Sequence, residues 1–400
     1  MNNIRLETLT PVHIGSGNEL ARDIDFFVPT EDNKTGRIYV IDPDRIAQDM
    51  AGDKDTFAQW IAAIEKGCAA ISLYRFLQPS ERSKYTKRIL RKFGCQSKEI
   101  QTIKECMHDG QGRPYIPGSS LKGALRTALS TYLIRQRHPL EQNSFLSSAL
   151  REDEDNVTDK VLGKMNESLM RFLRVGDAVF ADDCNIVMKA VMLNEREVDD
   201  LLDTGKWQML ELIHADYESP ITTELSIQVK KELADRVKEL AEDLNQRNQD
   251  NQDQQFHPHV FPAEFGNSDE AVLRALFDIV NKHTKRLIQK EISDYEKKKN
   301  KKNVPKVFLD NLHVIEDCVD DSMEEGNSCV LRVGQGSGWR FMTGAWTVGF
   351  EKYNEVKEKA RTNNKEYYAR YDFPKTRRIS TECDLFGFVR LTIINQNTQQ

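Results

Sequence analysis

The chain has no apolar run approaching the roughly 18 residues that a membrane span needs. Its opening, Met1-Asn2-Asn3-Ile4-Arg5-Leu6-Glu7, has none of the apolar core of a signal peptide. It also lacks any Cys-x-x-Cys pair: Cys68, Cys95, Cys106, Cys184, Cys318, Cys329 and Cys383 are scattered and odd in number. That argues against a disulfide framework and a zinc ribbon, and for reduced thiols in the cytoplasm. Cys95, Cys106 and His108 lack a fourth ligand and paired spacing, so neither a metal nor a cofactor is expected. Nucleotide signatures are missing too. Gly15-Ser16-Gly17-Asn18-Glu19-Leu20 has Leu20 where a dinucleotide fingerprint needs a third glycine, and no Gly-Lys-Ser/Thr follows a P-loop spacing.

Positive net charge is the remaining absence. The 400 residues carry a formal charge of −6, whereas most dedicated nucleic-acid binders are basic. The charge is segregated, however. Arg82, Lys84, Lys87, Arg88, Arg91 and Lys92 form one basic run; Lys282, Lys285, Arg286, Lys290, Lys297 to Lys299, Lys301 and Lys302 form another. Acidic blocks lie at Glu152 to Asp155 and from Glu316 to Glu325. Either basic run reads as a solvated helix face or as one side that meets RNA.

Strand patterns occur at Ile4 to Val12, Ile24 to Val28, Arg37 to Ile41, Arg174 to Phe180, Ile186 to Leu193 and Ile221 to Val229. They recur at Cys329 to Val333 and Phe386 to Ile394. A cation-rich helical region is expected from about Arg45 to Cys106. The clearest helix carries Leu121, Ala124, Leu125, Ala128, Leu129, Tyr132 and Leu133 on one stripe, with Ser119 or Ser120 placed to cap it. Further helices are expected around Leu233 to Leu244 and Asp269 to Lys299, separated by the low-complexity, mobile stretch Asn245 to Gln255. A domain boundary is placed near residue 230.

The binding chemistry is carried by glycine. Val12-His13-Ile14-Gly15-Ser16-Gly17 and Leu331-Arg332-Val333-Gly334-Gln335-Gly336-Ser337-Gly338 echo one another as strand followed by Gly-x-Gly, which suggests a duplicated unit. Such loops let an anion approach the backbone amides. In Tyr115-Ile116-Pro117-Gly118-Ser119-Ser120-Leu121-Lys122-Gly123-Ala124-Leu125-Arg126, a glycine and two serines open a helix whose Lys122 and Arg126 are i, i+4 neighbours. Gly123 inside it costs about 1 kcal/mol relative to alanine, which a close approach of another chain would rationalise. Phe386-Gly387-Phe388-Val389-Arg390-Leu391 partly matches an RNA-stacking strand, and core packing explains it equally well.

These segments together resemble the RAMP superfamily of CRISPR-associated proteins. The first loop is similar to the family's opening strand and loop, and the Pro-Gly-Ser-Ser-Leu-Lys-Gly-Ala-Leu-Arg helix is its most distinctive element. The late glycine loop, running on to Trp339, and Phe373-Pro374-Lys375-Thr376-Arg377-Arg378 narrow the likeness to the large subunit at the crRNA 3′ end of type III-A (Csm) complexes. The resemblance implies an α+β protein of two ferredoxin-like (RRM-like) RAMP domains, residues 1–230 and 231–400, with helical insertions. It implies a non-catalytic, cytoplasmic subunit for antiviral defence that binds the 3′ portion of crRNA, stacks on neighbouring RAMP backbone subunits, meets target RNA indirectly and supports crRNA maturation with host nucleases. The RNA contacts it implies are His13, Gly15, Ser16, Gly17, Gly118, Ser119, Ser120, Lys122, Arg126, Arg332, Gly334, Gln335, Gly336, Ser337, Lys375, Arg377 and Arg378. Two alternatives stand beside it: a metal-independent endoribonuclease with His13 as general base, and a protein-only assembly factor. The family's target-cutting subunit uses a loop aspartate, and Asp23 and Asp25 follow the first glycine loop; nothing marks either of them, and a paired surface role suits them better.

Overall fold

The computed structural model describes residues 2–29, 36–50, 52–68, 82–135, 161–164, 167–194, 200–216, 219–250, 268–299, 303–342 and 376–394. The strand expected at the N-terminus forms as β1 (Asn2–Thr8), with Ile4 and Leu6 fully buried. It lies at the centre of a five-stranded antiparallel sheet with β8 (Leu173–Val175), β12 (Thr222–Val229), β13 (Ser328–Arg332) and β15 (Phe388–Ile394), in the order β13-β15-β1-β12-β8. Register matches apolar residues across β1: Ile4 faces Leu225 on one side and Ile393 on the other.

Helices α3 (Gly118–Arg135) and α5 (Asp269–Lys299) cover this sheet. Leu121, Leu125, Leu129 and Leu133 of α3 meet Val272, Leu276 and Phe277 of α5 above Ile4, Leu6 and Leu391. Each such side chain contributes about 1.5–3 kcal/mol through burial. Taken along the chain, β1, α3, β8, β12, α5 and β15 give the β-α-β-β-α-β succession of a ferredoxin-like unit.

The second sheet grows from insertions into that succession. It runs β2 (Gly15–Ala21), β6 (Thr102–Cys106), β11 (Leu202–Ile213), β10 (Asn185–Asn194), β5 (Thr86–Phe93), β4 (Arg37–Ile41) and β3 (Phe26–Phe27). The late strand β14 (Thr376–Ser380) pairs with β10. A short ribbon joins β7 (Tyr115–Ile116) to β9 (Ala178–Val179). The remaining helices are α1 (Pro43–Met50), α2 (Lys54–Glu65), α4 (Lys231–Asp250) and α6 (Lys306–Glu325). The protein is thus α+β, and strands from both sides of residue 230 share both sheets, so the sheets do not separate at the expected boundary.

Several local expectations change. The region read as helical from Arg45 to Cys106 holds α1 and α2 but also β5 and β6. Lys and Arg favour helices on propensity, yet in β5 they alternate: Lys87, Ile89 and Arg91 are exposed, Arg88 and Leu90 buried. The Asn/Gln-rich stretch is helical as far as Asp250. The RNA-stacking reading of Phe386 and Phe388 fails, since both rings are fully buried. Gly387, at φ 87, breaks the alternation there, and a β-carbon on it would overlap the Val333 carbonyl. The first part of the second basic run is paired within the protein, Lys282, Lys285 and Lys290 of α5 meeting Asp278, Asp320 and Asp294.

Candidate nucleic-acid interface

The three motif segments converge through one core. Ile14 precedes the first glycine loop, Ile116 and Leu121 bracket the Pro-Gly-Ser-Ser turn, and Val333 precedes the second loop; all four side chains lie in the same cluster. The two glycine loops also touch. The Gln335 N–H donates to the His13 carbonyl at 2.9 Å, and a β-carbon on Gly334, at φ 71, would overlap that oxygen. Only glycine satisfies both conditions.

His13 sits below this junction and is 3% exposed. Its Nδ1 donates to the Glu211 carbonyl at 2.6 Å, which leaves Nε2 unprotonated in the neutral ring. A β-carbon at Gly15 would come within 3.1 Å of that Nε2. Burial holds the imidazole below its ordinary pKa, and the neighbouring Glu211 only partly offsets this.

Beneath the first loop runs a network of charges. The Glu211 carboxylate, fully buried, accepts from Arg88 Nε at 2.8 Å and Nη2 at 3.0 Å, from Asn185 Nδ2 at 2.9 Å and from the Cys106 N–H at 3.2 Å. Burial opposes its ionisation, but His108 and Arg88 outweigh this and hold its pKa at about 2. Arg88 Nη2 also reaches Glu105 at 2.9 Å, whose other oxygen accepts from Ser16 Oγ and Asn18 Nδ2, both at 3.0 Å. Loop conformation is thereby tied to the buried ion pair. Glu105, His108 and Glu211 are close enough together to suit a metal, but the Arg88 guanidinium already supplies the cation between the two carboxylates. Cys106 stands apart as a buried thiol raised to about 12 by desolvation.

Helix α3 differs from expectation at its start. It begins at Gly118, so Ser119 and Ser120 fall inside the first turn, and Asp177 Oδ1 accepts the Gly118 N–H at 2.7 Å. The amide expected to meet phosphate therefore holds a carboxylate of the protein itself. Gly118 is required because a β-carbon would overlap the Val175 carbonyl. Further along, Ser119, Gly123 and Arg126 are exposed and Lys122 is half-buried. Among the described residues, no group beyond the helix's own backbone lies within 4 Å of where a Gly123 β-carbon would stand. Burial, and then the adjacent Arg174 on β8, lower the Lys122 pKa. Lys122, Arg126 and Arg174 thus form a cationic strip around an open glycine.

The other expected residues are elsewhere. Gly15, Ser16 and Gly17 lie exposed on the first loop, and Gly336 packs against Phe386. Gln335 Nε2 donates to Gln208 at 3.1 Å, and Ser337 Oγ donates back to Gly334. Arg332 is buried between the Phe341 and Phe388 rings, with Nε on the Phe386 carbonyl at 2.8 Å. Arg377 is buried against Glu291, and Arg378 caps the Lys206 carbonyl at 2.9 Å. Lys375 lies outside the described residues. Asp25 accepts the Ala21 N–H and serves the turn after β2, with Asp23 at φ 65 beside it.

Glu105, Asp177, Arg174 and Glu211 were not anticipated, and Arg88, expected on a solvated or RNA-facing side, is buried between Glu105 and Glu211. Glu211 left a trace in the sequence as the lone carboxylate in Met209-Leu210-Glu211-Leu212-Ile213, a run that must otherwise be buried.

Comparison with known proteins gives the following. No curated protein sequence matches the chain. A chain in the cryo-EM structure of a Csm–crRNA–target RNA ternary complex of a type III-A CRISPR-Cas system superposes with a TM-score of 0.67 at 22% identity, covering 98% of this chain and 100% of that one. The crystal structure of T. onnurineus Csm5 superposes with a TM-score of 0.54 at 18% identity and the same coverage. The model of the RAMP superfamily matches residues 5–350, and the chain belongs to that family.

Proposed function

We propose that the protein is a non-catalytic RNA-binding subunit of a type III-A CRISPR effector complex, holding the guide-RNA backbone near its 3′ end. The observation that carries this reading is the solvent face of α3, where Lys122, Arg126 and Arg174 flank the open position at Gly123. Cations around a bare patch of helix suit a phosphodiester track and carry no base readout. That is sufficient where the target is read by base pairing with the guide. Neighbouring RAMP subunits, target RNA and host nucleases that trim the guide would be its partners. Arg332 and Arg377, being buried and engaged, act on this reading as supports of the second loop. His13 has one ring nitrogen committed and the other under Gly15, which favours a structural role over that of a general base.

The test is binding of a crRNA-like RNA to the purified protein across a range of salt, in EDTA. Wild type should bind without cleaving. Lys122→Ala with Arg126→Ala should weaken binding at least tenfold, and should flatten the salt dependence by about 1.4 in log–log slope for two single-strand phosphate contacts. Gly123→Ala should stabilise the free protein by up to about 1 kcal/mol and still weaken RNA binding. Unchanged affinity in the double variant would sink the reading. Cleavage lost in His13→Ala would make the protein a processing ribonuclease.

A further inference from the structure

A cavity of about 540 Å³ opens where the two sheets and α6 meet, away from the cationic strip of α3. Its apolar wall includes Phe93 and Val314, which remain 39% and 47% exposed. Its polar lining is dominated by carboxylates: Glu7, Asp216, Asp321, Glu382 and Asp384. Arg390 is the lysine or arginine among the lining residues, and it stands 3.9 Å from Glu7. His214, packed on Phe93 at 5.0 Å, keeps a buried Nδ1 with no hydrogen-bond partner.

A second observation points the same way. Helix α6 carries Asp317, Asp320, Asp321, Glu324 and Glu325 in its C-terminal half and has no lysine or arginine after Lys306. Carboxylates at that end oppose the helix dipole; the last turn holds no basic residue of its own, and a cation from outside it, Arg274 of α5, donates from Nη1 to the Gly326 carbonyl at 3.1 Å. Of these, Asp320 is paired to Lys285 and Glu325 accepts from Ser328 Oγ at 2.9 Å. An arrangement unfavourable to the isolated helix is well suited to an arriving cation.

We infer that this cavity and the adjoining face of α6 form a protein-docking site, and that its occupant is a segment of a neighbouring subunit bearing lysine or arginine beside an apolar side chain. The apolar side chain would fill the space between Phe93 and Val314, and the cation would meet Asp321, Glu382 and Asp384. The same carboxylates repel phosphate, so RNA and protein partners approach different faces. This rests on the proposed membership of a multisubunit RNA-guided complex, and it names the surface and chemistry of one contact.

The experiment uses the full chain co-expressed with the other subunits of its own complex. A photo-crosslinking phenylalanine replaces Val314, and the crosslinked peptide is identified by mass spectrometry. In parallel, Asp321→Lys with Glu382→Lys is compared with wild type for recovery in the complex, for thermal melting and for RNA binding by the isolated protein. The expected result is a crosslink to a lysine- or arginine-bearing segment of another subunit. The charge-reversal variant should melt and bind RNA like wild type, while its incorporation falls at least tenfold. Normal incorporation of that variant overturns the inference and leaves the proposed function standing. So does a position-314 crosslink to RNA, to a second copy of this chain or to an acidic segment, or none in an assembled complex. Loss of folding in the variant moves the decision to the crosslink alone. If wild type neither assembles nor binds RNA, the proposed function and this inference fall together.

Discussion

Arg88 and Glu211 show how a surface loop is governed from the interior. A guanidinium at an inward position of β5 is stable only because two carboxylates meet it, and one of these then orients Ser16 and Asn18. Arg88→Met leaves Glu211 buried without its principal cation and should lower stability by about 3–5 kcal/mol in urea denaturation. A loss below 1 kcal/mol would mean that His108 and Asn185 hold the carboxylate unaided. Acid should act in two stages. Burial lowers the His13 pKa, so the unfolded chain takes up this proton first and stability declines once pH falls below the unfolded imidazole value of about 6.5. His283, held at about 3 by burial and by Arg286 and Arg135, adds to that stage. Glu211 ionises more readily folded than unfolded, so its contribution is complete above about 4.3 and is lost as pH approaches 2. Melting temperature measured from pH 7 to pH 3 should fall in both windows, and His13→Gln should reduce the fall in the upper one.

Helix α3 was legible in its sequence because one helix face is buried against one sheet, so its leucine stripe keeps a clean helical period. Strand β5 was not. Its inward positions are filled by Arg88 and Leu90 and its outward ones by Lys87, Ile89 and Arg91, so apolarity alone shows no alternation. Helix α6 was hidden for a related reason: acidic residues crowd between Leu312, Ile315 and Val319 and read as a charged surface block. The Pro-Gly-Ser-Ser turn was legible as a helix start, but its anchor was not, because Asp177 lies 59 residues away, beyond β8. Asp177→Ala should cost about 1 kcal/mol of stability as a lost cap, while Asp177→Asn, which keeps the acceptor, should cost less. Equal losses in the two would show that charge at the helix dipole, rather than the hydrogen bond, holds the turn.

On the scale of the molecule, the glycine echo that suggested two consecutive units joins two loops that meet at one junction, His13 against Gln335. Sequence similarity over so few residues does not distinguish repetition from contact, and sheet membership is not written in any local pattern. Residues 1–230 expressed alone lack β15, which pairs with β1, and β13 beyond it. They should remain soluble and melt cooperatively only when co-expressed with residues 231–400; a cooperative transition in the first half alone would refute the interleaved fold as the cooperative unit. The position of β1 also has a bearing on synthesis. Strand β1 is flanked by β12 and by β15, which lies far along the chain from it. A chain made from β1 onward holds this central strand with one edge open until β15 follows. Pairings between such distant segments form slowly and leave an unpaired edge exposed meanwhile. Closure of the central sheet therefore waits on β15, and until that strand arrives β1 presents an edge to which another chain can add.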